Sequence, residues 1–221
     1  MSDSLDQLLH RAEEVDSPQA FTLQNSKALK IRLTDSVYCR AGSMVAYQGN
    51  IKFESSTGGG LSKWIKKKIT GEGVPLMKAV GNGDLFLANQ AADIMVIELK
   101  GETFFVESRN LLAFEKTIDW DVTLLKGGGS MSGGLFTCKL SGHGCVAITS
   151  FGEPIALEAP CVVDPDSVLG WTSGTSPSIR TDINFKTLIG KSSGETFQLA
   201  FSGNGKVLVQ PYENDQQNLK G

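Results

Sequence analysis

Gly190-Lys191-Ser192-Ser193-Gly194 is the segment whose residue types most resemble catalytic machinery, matching both G-x-S-x-G and the end of a phosphate loop. A nucleophilic Ser192 would need a strand-to-helix elbow and a histidine later in the chain, and no histidine follows it. A phosphate loop would need glycine at position 185, which is Phe185, and a helix after it where the pattern is β. The segment is therefore expected to be a Gly/Ser loop between strands. His143 with Cys145 suggests a metal pair, but two residues apart with no clustered partner is poor ligand spacing. Three G-x-G units, at 81, 142 and 203, lack the third glycine of a dinucleotide site, having Phe86, Ala147 and Leu208 there. Asp119 and Asp121 alternate along one strand and are expected on its solvent face. No catalytic, cofactor or metal set emerges, and no enzyme activity is expected.

One segment points outward. Leu61-Ser62-Lys63-Trp64-Ile65-Lys66-Lys67-Lys68-Ile69-Thr70 is expected to form a short inserted helix, apolar along Leu61, Trp64, Ile65 and Ile69. Lys63, Trp64, Lys66, Lys67 and Lys68 then form a candidate interaction surface for an anionic membrane or an acidic protein. The competing expectation is a lid, with Trp64 packed on the domain and the lysines solvated.

Composition narrows the partners. Over 221 residues, 21 Lys and Arg against 24 Asp and Glu give a net charge of −3. Nucleic acid is disfavoured as a partner, since no whole-surface positive field exists. No apolar run approaches the 18 residues of a membrane helix, and Asp3, Asp6, Glu13 and Glu14 are foreign to a transit peptide. Cys39, Cys138, Cys145 and Cys161 form no C-x-x-C pair and are expected as reduced core thiols, which places the protein in the cytoplasm.

The elements that would position these residues are β units. The three G-x-G units are equally spaced, 142 − 81 = 61 and 203 − 142 = 61, and each lies between apolar strand-like stretches. Asn82-Gly83 and Asn204-Gly205 predict type I′ hairpin turns, with His143-Gly144 in the same slot. Upstream of each, two apolar residues, a small one and an aromatic recur: Met44-Val45-Ala46-Tyr47, Leu111-Leu112-Ala113-Phe114 and Val168-Leu169-Gly170-Trp171. These predict a shared core signature. Alternating strands follow, Ile51 to Glu54, Ile118 to Leu125 and Ile179 to Leu188.

The expected fold is mostly β: three tandem antiparallel units, about 35–89, 101–150 and 160–211, in a single β domain of 28–212. Residues 1–27 precede it as a helix and lead-in strand, and 213–221 form a polar tail. Ser4 to Val15 predicts an amphipathic helix, capped by Ser4 with Gln7 and ended by Pro18, that must dock on its own domain or on a neighbouring subunit.

Ala41-Gly42-Ser43-Met44-Val45-Ala46-Tyr47, Thr57-Gly58-Gly59-Gly60-Leu61, Gly71-Glu72-Gly73 and Ser132-Gly133-Gly134-Leu135-Phe136 together resemble the altered-inheritance-of-mitochondria twenty-four family, over about 28 to 212. The resemblance implies a TRAP-like β-sandwich or double-stranded β-helix, assembled as a homo-oligomer, with no established catalytic residue. Mitochondrial members look like organisers of inner-membrane complexes, and TRAP itself is a ring that binds tryptophan and RNA. The absence of a targeting segment argues against the organelle role here, and the net charge against RNA binding. The expected function is a non-enzymatic oligomeric scaffold or protein-interaction module. The alternatives are a small-ligand-binding module near the Gly-rich loops and peripheral membrane association through the basic helix.

Overall fold

The computed structural model describes residues 4–55, 76–125, 135–180 and 198–212. One helix, α1 (Leu5–Arg11), precedes the strands β1 (Phe21–Asn25), β2 (Ala28–Leu33), β3 (Ser36–Arg40), β4 (Met44–Ser55) and β5 (Leu76–Leu87). Then come β6 (Asp93–Glu107), β7 (Leu111–Glu115), β8 (Ile118–Leu125) and β9 (Leu135–Ser150). The chain continues through β10 (Ile155–Glu158), β11 (Cys161–Val163), β12 (Val168–Thr172), β13 (Thr175–Arg180), β14 (Gln198–Gly203) and β15 (Lys206–Val209). The fold is mostly β and antiparallel, as expected, with a 12-stranded sheet and a three-stranded one in the order β11-β14-β13.

The G-x-G units are not hairpin turns. β5 and β9 each run straight through theirs as one long strand that changes partners at the glycines. Leu76 to Val80 pair with β3, while Gly83 to Leu87 pair with β2, and β4 follows β5 along the opposite edge. β9 pairs with β8 up to Gly142 and with β7 from Val146 to Ile148, while β6 accompanies it throughout. At the third unit β14 pairs with β11 and β13, and β15 with β10 and β12.

Glycine is required at these bends for two reasons. Gly81 and Gly83 have φ of 137° and 150°, a region that side chains rarely adopt. A Cβ at either would also lie 2.0 Å from a carbonyl oxygen of β4, that of Asn50 or Gln48. At Gly203 it would meet the Gly174 carbonyl, again at 2.0 Å. A type I′ turn would need positive φ at both Asn82 and Gly83, whereas here Gly81 and Gly83 take it and Asn82 does not, so the dipeptide marks a bend instead.

α1 is shorter than expected. Its capping box forms as predicted, Ser4 Oγ accepting from the Gln7 amide and Gln7 Oε1 from the Ser4 amide. The helix stops at Arg11 because the following residues have better partners on the sheet. Glu14 meets Lys30 Nζ at 3.5 Å and accepts from Gln48, Asp16 pairs with Arg32, and the Gln24 amide group bonds both backbone groups of Val15. None of its residues is buried, and Leu5, Leu8 and Leu9 are exposed with no docking seen among the described residues.

The core divides into three contiguous clusters. Leu29, Ile31, Leu85 and Leu87 anchor the one beneath β2 and β5; Phe114, Leu140 and Ile148 the one beneath β7 and β9. Val168, Trp171, Phe201 and Val207 anchor the third. Each fully buried side chain of this size contributes about 1.5–3 kcal/mol. Cys39 and Cys138 are completely buried and Cys145 and Cys161 half-buried, all four as free thiols.

Two outcomes check this packing. Gly83→Ala should lower stability by at least about 2 kcal/mol, combining strained φ with backbone collision, whereas Gly42→Ala, with positive φ but open space around it, should cost about 1 kcal/mol. Denaturant midpoints measure both, and equal losses would remove the role assigned to the close approach. Burial pushes the Cys39 thiol up to about 12, so alkylation in native buffer should spare Cys39 and Cys138 until denaturant is added. Modification of Cys39 in the native protein would contradict its placement.

Candidate interaction edge

The residues singled out for chemistry do not converge. His143 lies exposed within β9 and faces Gly101 across the strand pair, while the Cys145 amide donates to Glu115 at 2.7 Å. Asp119 and Asp121 are on the exposed face of β8. Among the described residues no group of three or more His, Cys, Asp or Glu gathers in metal-binding distance. Gly190 to Gly194 and the surface Lys63, Trp64, Lys66, Lys67 and Lys68, with the helix expected around them, lie outside the described residues.

A different feature stands out in the first half of β4. The three apolar-aromatic signatures share one local geometry: the ladder slips by a residue between Met44 and Ala46, between Leu111 and Ala113, and between Val168 and Gly170. A bulge of this kind turns the middle residue of each signature out of the regular alternation. Burial separates them sharply. Leu111, Leu112 and Phe114 are 0% exposed and Val168, Leu169 and Trp171 at most 3%, whereas Met44 is 38%, Val45 61% and Tyr47 48% exposed. The expected shared core signature therefore holds for two copies and fails for the first.

The reason is a neighbouring strand. β7 is covered on its outer edge by β3, with Tyr38 opposite Phe114 and Cys39 opposite Ala113. β12 is covered by the second half of β6, with Phe105 opposite Trp171 and Val106 opposite Gly170. Both seams carry a stacked aromatic pair, Tyr38 on Phe114 with centroids 5.2 Å apart and Phe105 on Trp171 at 5.6 Å. β4 pairs with β5 alone among the described residues, so none of the described strands covers its outer edge, which is open to that extent. Tyr47 leans instead on Phe53 of its own strand, edge to face at 5.6 Å.

Charged groups hold the made seams at their ends. The Arg40 guanidinium at the end of β3 donates to the Arg109 carbonyl at 2.6 Å, reaching the turn that precedes β7. Arg109 pairs with Glu107 at 3.2 Å and Asp166 at 2.8 Å, reaching the turn that precedes β12. Burial pushes the Glu107 carboxyl above the usual carboxylate range, against the pull of Arg109 and Arg40. Arg40 and Asp166 are far from Arg109 in sequence, and nothing in their local context marks them as its partners. The open edge has no such protection: residues 41–51 contain neither a charge nor a proline, the devices that normally keep an edge strand single.

Comparison with known proteins agrees with this architecture. The family model described as Mitochondrial biogenesis AIM24 matches residues 21–212, beginning at β1. No curated protein matches the chain. The crystal structure of protein SPYM3_0169 from Streptococcus pyogenes superposes with a TM-score of 0.68 at 23% identity, covering 87% of this chain and 92% of that one. At that identity the likeness is one of fold. No helix among the described residues is long and apolar enough to cross a membrane. With its sheet, its bends and its signatures all inside the matched span, the chain belongs to the mitochondrial biogenesis AIM24 family.

Proposed function

We propose that this protein is a non-enzymatic assembly module, three like β units in one chain, that works by strand-edge pairing as an oligomeric scaffold. The observation that carries this reading is the open, uncharged first half of β4 with Met44, Val45 and Tyr47 exposed along it. An unpaired edge offers backbone donors and acceptors in register, and apolar side chains beside them supply affinity when a strand is added. The undocked leucines of α1 offer a second surface of the same character.

Four free thiols suit a reducing compartment, and the proposed site of action is the cytoplasm. Binding through one edge strand needs no acid, base or metal, in keeping with the scattered positions of His143, Cys145, Asp119 and Asp121.

Native mass spectrometry of the full chain over a concentration series tests the reading. Multimers that grow in with concentration are the expected result. A monomer at every concentration, with no co-purifying protein, would contradict it.

A further inference from the structure

The open edge has a mate on the same chain, and the register of the two existing seams identifies it. Tyr38, Phe105 and Val162 face Lys78 on β5, Lys139 on β9 and Ala200 on β14, and 139 − 78 = 61 and 200 − 139 = 61. Phe114, Trp171 and Tyr47 face Val146, Val207 and Leu85, and 146 − 85 = 61 and 207 − 146 = 61. The three residues of each set occupy the same place relative to the glycine bends at 81, 142 and 203. In the two made seams a member of the first set sits opposite one of the second: Tyr38 opposite Phe114, Phe105 opposite Trp171. The leftover members are Val162 and Tyr47.

Both are exposed, Val162 by 45%. β11, which carries Val162, pairs on one side with β14 and with nothing else described, while β4 pairs only with β5. Each chain thus ends in the two complementary halves of a seam that it has already made twice internally.

We propose that a second copy of this chain completes the third seam, β11 of one copy pairing antiparallel with the first half of β4 of the next. Val162 lies opposite Tyr47, Val163 opposite Ala46 and Cys161 opposite Gln48. Val45 and Met44 lie next to this ladder, as Leu112 and Leu111 lie next to the one between β3 and β7. The contact is head-to-tail, because each copy gives a different edge to each neighbour, so it closes into a ring or propagates as a filament according to the rotation per copy. The inference rests on the assembly reading above and assigns its residues and register.

Cross-linking between separately made variants tests it. Tyr47→Cys and Val162→Cys, each in a Cys161→Ser background, are mixed and treated with a short bis-maleimide. A covalent dimer that needs both variants is expected, since facing residues of antiparallel strands lie about 4.5–5.5 Å apart. In sedimentation, Tyr47→Lys should weaken self-association at least about tenfold while Tyr47→Phe retains it. Tyr47 is half-exposed in the single chain, so at dilutions where the protein is monomeric both variants should unfold near the wild-type midpoint. Multimers of the wild type with no mixed cross-link would overturn this seam and leave the assembly reading standing. A cross-link formed within one chain of the double variant at high dilution would overturn it as well. Monomers throughout would overturn both.

Discussion

The architecture depends on a close approach of two backbones. At Gly81 and Gly83 the bend of β5 presses against the carbonyls of Asn50 and Gln48, where no side-chain carbon would fit. That contact lets one strand serve two sets of partners, β3 before the bend and β2 after it. β9 also changes partners at Gly142 and Gly144, but there a Cβ would meet the Thr117 carbonyl only at 3.3 Å or the side chains of Glu115 and Thr117. Between β14 and β15, Gly203 again lies against a carbonyl, that of Gly174. Straight strands would leave β2 and β3 on one flat ladder. The bends wrap the sheet so that Leu85 and Leu87 close over one core cluster while Leu76 joins another.

Wrapping makes strands far apart in sequence depend on one another. The apolar signature at the start of β7 is buried because β3 lies beside it, and that of β12 because β6 does. Arg40 and Arg109 tie the ends of these seams with hydrogen-bonded charges, whose removal from water is offset only because each meets a carbonyl or carboxylate. Among the described residues no strand lies beside the first signature except β5. Exposure of Val45 and Tyr47 goes with that one-sided pairing, so like local sequence has opposite burial in different surroundings.

Much of this was legible in the residues. The 61-residue spacing located the three bends, the alternation from Ile118 to Leu125 marked β8 to the residue, and Ser4 with Gln7 marked the start of α1. What the bends do was not legible, because Asn-Gly is a hairpin dipeptide by local preference, whereas here the positive φ falls on Gly81 and Gly83 and not on Asn82, and the difference lies in which strands run alongside. The end of α1 was set by Lys30, Gln48 and Gln24 on the sheet, outside any local window. Nor does Met44-Val45-Ala46-Tyr47 differ in kind from its buried counterparts; only the missing neighbour strand separates them. The site first suggested by composition was the basic segment at Lys63 to Lys68, whereas the site supported by geometry is an edge with no charge at all.

The central claim is that the edges of β4 and β11 are unmade halves of one seam. Amide hydrogen exchange across a concentration series addresses it most directly, with the buried seam at residues 111–115 as an internal reference. The account predicts that amides of 44–48 and 161–163 exchange fast in dilute protein and gain protection together as concentration rises, while 111–115 stay protected throughout. Fast exchange at both edges at every concentration, or protection of one edge without the other, would contradict it.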